Sequence, residues 1–141
     1  MGRTLDLLTE YAAPREVDFV VAAEARGFVL GGALGLRLDA GFIPARKPGK
    51  LPAATASAEY ALEYGVDALE MHSDALRDGA RVLVHDDLLA TGGTARALCD
   101  LVEEAGAQVV GCAFVIELAF LHGRDRIERQ DVHSLISYDR Q

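Results

Sequence analysis

Three continuous apolar runs constrain this chain more than any other feature. Residues 17–27 read VDFVVAAEARG, around an unbroken apolar run, residues 81–85 read RVLVH and residues 108–118 read QVVGCAFVIEL. None alternates apolar with polar over its length, so each predicts a strand covered on both faces, as in a parallel sheet between layers of helices. The segments between them have helical length. GFVLGGALGLRL follows the first run, with small residues that allow close packing, and Gly93 to Ala105 predicts a helix stopped at Gly106. GFIPAR and VHSLISY read as further strands, Asp78-Gly79 as a turn, and Leu5, Leu7, Leu8 and Tyr11 as one face of a short helix closed by Pro14. Strands alternating with helices predict an α/β fold with a mainly parallel sheet. At 141 residues, half of them hydrophobic, the chain is expected to form one domain with a sizeable core.

One stretch breaks the pattern. KPGKLPAATASAEYALEYG, residues 47–65, is long, polar and rich in Pro, Gly, Ser and Thr. It predicts a functional or mobile loop, and EYALEYGVDALEMH predicts a short hairpin turning near Gly65.

Charge and composition narrow the function classes. A formal net charge of −8 argues against general nucleic-acid or membrane-surface binding, while leaving room for a local basic patch that holds a small anion. No apolar run is long enough to span a bilayer and no signal-peptide pattern is present, so no membrane partner and a cytoplasmic location are expected. Cys99 and Cys112 form no CxxC pair and read as reduced core thiols, and the four histidines lack metal-ligand spacing.

The chemistry concentrates in VLVHDDLLATGGTA, Val82 to Ala95. In an open parallel sheet, ligands bind beyond the carboxyl ends of the strands, where Asp86 and Asp87 are expected to stand. Gly92 and Gly93 remove side chains, so backbone N–H groups at a helix N-terminus can approach an anion. Thr91 and Thr94 add hydroxyl donors. The loop from Ala90 to Thr94 suits a phosphate and the carboxylates suit sugar hydroxyls or the water shell of magnesium; a ribose 5-phosphate carries all of these partners. The same residues also suit a plain helix cap and turn. Neither the Walker A spacing nor GxGxxG is present, which excludes those nucleotide loops.

HDDLLATGGTA resembles the phosphoribosyl pyrophosphate motif of the type I phosphoribosyltransferases. EARGF at 24–28, RKPGKLP at 46–52, EYALEYG at 59–65 and FVIELAFLHGRDRI at 114–127 are similar to the adenine phosphoribosyltransferases within that family, and the resemblance runs from about Asp18 to Tyr138. His85 departs from the usual aliphatic residue before the aspartates, and no function is attached to it. The resemblance implies a type I phosphoribosyltransferase fold with a flexible catalytic loop or hairpin. It also implies transfer of the ribose phosphate of phosphoribosyl pyrophosphate to N9 of adenine, giving AMP and diphosphate, with Mg2+ as cofactor and a homodimer as the assembly.

By that resemblance Ala90, Thr91, Gly92, Gly93 and Thr94 hold the 5-phosphate. Asp86 and Asp87 face the ribose hydroxyls and the water shell of a magnesium ion held mainly through ligand and water. Ala25, Arg26, Arg46 and Lys50 bind the diphosphate, with a non-proline cis peptide expected within Glu24, Ala25 and Arg26, and Lys47 faces solvent. Glu63 is the catalytic candidate, stabilising the protonation state in which N9 attacks; Glu59 is the weaker candidate, and Tyr64 covers the ribose or the leaving group. Relatives carry a hood over the base before the first matched helix. That segment has no match here, so residues 1–141 are expected to be a core domain without the hood. A phosphoribosyl-binding regulator without catalysis and an enzyme for another purine are the alternatives, both disfavoured by EYALEYG.

Overall fold

The computed structural model describes residues 1–62 and 65–140. Its strands are β1 (Phe19–Ala23), β2 (Gly41–Ala45), β3 (Thr55–Leu62), β4 (Gly65–His72), β5 (Arg81–Leu89), β6 (Gln108–Leu118) and β7 (Val132–Tyr138), and its helices are α1 (Gly2–Ala12), α2 (Gly27–Arg37) and α3 (Gly93–Glu104). Five strands make the main sheet in the order β2-β1-β5-β6-β7, with every neighbouring pair parallel.

The continuous apolar runs are explained by cover on both faces. Successive strand residues point to opposite sides. Val20, Leu83 and Ala113 pack with Leu8 and Ala12 of α1 and Leu34 of α2. Val21, Val84, Cys112 and Phe114 pack with Leu98, Leu101 and Val102 of α3. Burying a Leu or Phe side chain contributes about 1.5–3 kcal/mol, which makes these two layers the main source of stability. α2 lies close against β1 because Gly31 has no side chain: a Cβ there would come within 2.8 Å of the Ala22 Cβ. Cys99 and Cys112 sit side by side between α3 and β6, both buried and unbonded, with Sγ atoms 3.7 Å apart. Among the described residues no helix is long and apolar enough to cross a membrane.

The polar stretch after β2 corrects the sequence reading. Residues 55–62 are not loop but β3, which pairs with β4 in an antiparallel hairpin from Thr55↔His72 to Leu62↔Gly65. The hairpin is therefore much longer than the short turn expected near Gly65. Ala56, Ala58 and Tyr60 pack towards the core while Ser57, Glu59 and Ala61 face outward, so β3 obeys a period of two written in small residues. Tyr60 reaches the first residues of α3 and seats the hairpin over the carboxyl end of β5.

Candidate active site

Asp86 and Asp87 lie inside β5 rather than beyond its end. The ladder with β6 continues through Asp86↔Phe114, Leu88↔Ile116 and Leu89↔Glu117. The sequence reading ended the strand at the first carboxylate because charged residues are rare in buried strands; here the flanking helix gives way to accommodate them. Gly27 opens α2 directly against Asp86, where a Cβ would stand 2.9 Å from its Oδ1. Burial pushes the Asp86 carboxyl up to about 7, against the Asp87 backbone N–H that donates to it at 2.9 Å. Asp87 instead meets Arg26, whose Nε is 2.8 Å from its Oδ2.

The loop after β5 has the form that the sequence suggested. Ala90, Thr91, Gly92, Gly93 and Thr94 line one cleft together with Asp86 and Arg26. Gly92 begins α3 with φ +84°, and no side chain caps the helix, so the cap reading of Thr91 is not what the fold uses. The first N–H groups of α3 have no acceptor within the helix. Gly93 lies under the hairpin, where a Cβ would meet the Tyr60 ring at 3.2 Å. The Tyr60 hydroxyl, 3.2 Å from Asp67 Oδ2, is pushed up by burial.

The cationic side of the cleft is built on two loops. The peptide bond Glu24–Ala25 is cis, within the three residues where one was expected, and leads into Arg26. Glu24 accepts from the Lys47 backbone N–H and lies 3.5 Å from an Arg46 Nη2, while a second Arg46 nitrogen donates to the Lys50 carbonyl at 3.4 Å. Arg46 thus reaches the loop that carries Arg26. Lys50 is exposed. Lys47 does not simply face solvent: it pairs with Asp67 of β4, which holds the Asp67 carboxyl below the usual carboxylate range. Glu63 and Tyr64 lie outside the described residues, and Glu59 is exposed on the outer face of β3.

His85 now has a structural account. It is fully buried on the strand face shared with Leu83, and its Nδ1 donates to the Ala113 carbonyl at 2.9 Å. Burial holds it neutral, pushing it down to about 4, and its Nε2 has no partner among the described residues. Gly27, Tyr60 and Gly123 are site-shaping residues that the sequence reading gave no role. All three lie inside matched segments, Gly27 in EARGF, Tyr60 in EYALEYG and Gly123 in FVIELAFLHGRDRI, but nothing local marks their contacts with other elements.

Backbone donors, the Asp86 carboxylate and Arg26 line one cleft, with Asp87 paired to Arg26. A profile of the phosphoribosyl transferase domain matches residues 5–137. An adenine phosphoribosyltransferase of Koribacter versatilis is 54% identical over 140 residues, 99% of this chain and 77% of the relative. The crystal structure of adenine phosphoribosyltransferase from Thermoanaerobacter pseudethanolicus superposes with a TM-score of 0.95 at 49% identity, covering 97% of this chain and 80% of that one. The enzyme of that name from Saccharomyces cerevisiae, complexed with D-2,5-dideoxy-2,5-imino-altritol 1,6-bisphosphate and adenine, gives 0.87 at 41% identity over 94% and 76% of the two chains. Fold, cleft and sequence converge, and the chain belongs to the phosphoribosyl transferase family and, within it, to the adenine phosphoribosyltransferases.

Proposed function

We propose that the chain transfers the 5-phosphoribosyl group of phosphoribosyl pyrophosphate to adenine, forming AMP and diphosphate. The observation that carries this reading is the uncapped start of α3 behind Gly92, facing the same cleft as Asp86 and Arg26. The N–H groups of Gly92, Gly93 and Thr94 take the 5-phosphate, aided by the helix dipole and the Thr91 and Thr94 hydroxyls. Asp86 and Asp87 accept from the ribose 2- and 3-hydroxyls. Arg26, Arg46, Lys50 and the backbone at Ala25 face the diphosphate.

The C1–O bond to diphosphate breaks as the N9–C1 bond forms, and N9 gives up its proton. Charge leaves the ribose for the diphosphate, where guanidinium and ammonium groups stabilise it in a site shielded from water. Glu63 supports the protonation state of adenine in which N9 attacks, and Tyr64 covers the ribose. The presence of adenine in the yeast complex supports the choice of base.

Magnesium fits this cleft as a companion of the ligand. Asp86 and Asp87 are two hard-oxygen donors, and among the described residues no group of three or more metal-ligating side chains occurs. Asp86 and Asp87 would hold such an ion through its water shell. When bound, it neutralises diphosphate charge.

A homodimer and a cytoplasmic location belong to the same proposal. α2 is apolar all round, yet Val29 and Leu36 on its outer face are 59% and 85% exposed, which supports cover by a second copy. The free buried thiols suit a reducing compartment.

The test is a steady-state assay with phosphoribosyl pyrophosphate and each of adenine, hypoxanthine and guanine, with products separated by chromatography. AMP formed from adenine is the expected result. Tight binding of phosphoribosyl pyrophosphate without turnover would replace this reading with a regulator, and turnover with another base alone would replace the substrate.

A further inference from the structure

We propose that residues 117–124, the segment leaving β6, form a buttress that sets the shape of the phosphate loop, with Gly123 as its point of contact and Glu117 and Arg124 as positioning residues. The proposal rests on the reading that this loop holds the 5-phosphate.

The contact is backbone on backbone. A Cβ on Gly92 would lie 2.3 Å from the Gly123 carbonyl oxygen, and a Cβ on Gly123 would lie 2.3 Å from the Ala90 oxygen and 3.1 Å from the Gly92 nitrogen. Two loops leaving adjacent strands therefore touch with no side chain between them. The nearest atoms are backbone, with only Leu89 Cδ1 beside them at 3.1 Å from a Cβ on Gly123, and close-packed interiors pass displacements on. Gly92 is also the residue whose left-handed conformation, at φ +84°, starts α3. Where Gly123 sits thus decides where the first N–H groups of α3 point.

Gly123 is in turn held on both sides along the chain. Before it, Glu117 stands next to last in β6 with its side chain only 6% exposed. After it, Arg124 returns to Glu117 and donates from Nε and Nη2 to the two carboxylate oxygens, each at 2.7 Å. The third guanidinium nitrogen donates to the Val132 carbonyl at the start of β7, at 3.0 Å. A bidentate pair fixes direction as well as distance. His122, at φ 55°, turns the chain between the two anchors, and Ile127 is fully buried in the core beside α3. The clamp closes a loop whose tip is Gly123. It also gives a physical role to FVIELAFLHGRDRI, a matched stretch to which the proposed chemistry assigns nothing.

A buttress of this kind acts on the phosphate and not on the diphosphate, because Arg26, Arg46 and Lys50 stand on other elements. The test is isothermal titration of the full chain and its Gly123→Ala, Arg124→Lys and Arg124→Met variants with ribose 5-phosphate and, separately, with inorganic pyrophosphate. Circular dichroism and urea midpoints show which variants are folded. Gly123→Ala is expected to weaken ribose 5-phosphate at least about tenfold while pyrophosphate stays within about twofold, since small misplacements of a binding group carry large penalties. Arg124→Met is expected to follow it, and Arg124→Lys to lie between Met and the parent chain. Equal losses for both ligands in a folded variant, or no loss for either, would overturn the buttress. Arg124→Lys decides by the same criterion if the other two do not fold. A parent chain that binds ribose 5-phosphate but makes no AMP would remove the catalytic reading and leave the buttress standing; one that binds no ribose 5-phosphate would remove both.

Discussion

Replacing Asp86 with Asn should stabilise the ligand-free protein at neutral and higher pH while weakening its hold on phosphoribosyl pyrophosphate. The carboxyl titrates near 3.8 when exposed and is pushed up to about 7 in the fold, mainly by burial. At 1.36 kcal/mol per pH unit, that displacement corresponds to about 4 kcal/mol of charge held in an unfavourable place. A buried Asn amide keeps a desolvation cost of its own, so the part recovered by the substitution is smaller, about 2 kcal/mol. The sign follows from proton binding: between its unfolded and folded values the native state keeps a proton that the unfolded chain has lost, so this group makes stability fall as pH rises from about 4 to about 7, with the full penalty above that window. Asn has the same shape, fits beside Gly27 and keeps an oxygen for the Asp87 N–H, but carries no charge.

The assay is urea unfolding of the ligand-free parent and the Asp86→Asn variant at about pH 4.5 and about pH 8, where the linkage predicts a small gain and a gain of about 2 kcal/mol respectively. The comparison must be between the two proteins. His85, pushed down to about 4 by burial from its unfolded value of 6.5, makes parent stability rise as pH rises from about 4 to about 6.5, and so masks part of the Asp86 slope. Titration with phosphoribosyl pyrophosphate should show the opposite effect, a loss of about tenfold or more, because hydrogen bonds to a charged acceptor contribute about 1.5–3 kcal/mol. A variant less stable than its parent at the higher pH, or a gain that is the same at both, would refute the argument.

Three further outcomes are expected. Gly93→Asp should abolish phosphoribosyl pyrophosphate binding in a titration, because it sets a carboxylate under the Tyr60 ring, where backbone donors meet a dianion. Glu63→Ala should slow AMP formation by about 10²-fold, within the range for a positioned acid–base group, and leave phosphoribosyl pyrophosphate affinity nearly unchanged in the same assay series. Magnesium alone should bind weakly, and its calorimetric affinity should rise when phosphoribosyl pyrophosphate is present; tight stoichiometric uptake by the ligand-free chain would point to a dedicated metal site at Asp86 and Asp87.

The elements legible in the sequence were those whose burial is two-sided. FVVAA, RVLVH and QVVGCAFVIEL announce themselves because both faces need apolar residues, and Gly106 marks the end of α3 by its positive φ. β3 was hidden because its inward residues are Ala56, Ala58 and Tyr60; two small side chains packed on a helix give a period of two with almost no contrast in hydrophobicity. The continuation of β5 through Asp86 and Asp87 was hidden for the opposite reason, since a local reading cannot see that Gly27 makes room for a carboxylate from another element. The phosphate loop was legible because its glycines and helix start are contiguous. The Lys47–Asp67 pair, the Arg26–Asp87 pair and the Glu117–Arg124 clamp are tertiary pairings, and no spacing rule reaches them.

The Arg26–Asp87 pair lets two charges beside the cleft neutralise each other. Arg26 Nε stands 2.8 Å from Asp87 Oδ2, and under the proposed reading each would exchange the other for a portion of phosphoribosyl pyrophosphate, Arg26 for diphosphate oxygens and Asp87 for ribose hydroxyls. An exposed pair of this sort is worth under about 1 kcal/mol, so it opens readily. Under the proposed reading, an incoming fragment that satisfies only one partner strands the other, whereas the intact molecule relieves both in a single exchange. On that reading the pair would act as a two-key lock, favouring the one molecule that carries both groups over free diphosphate and over bare sugar phosphate.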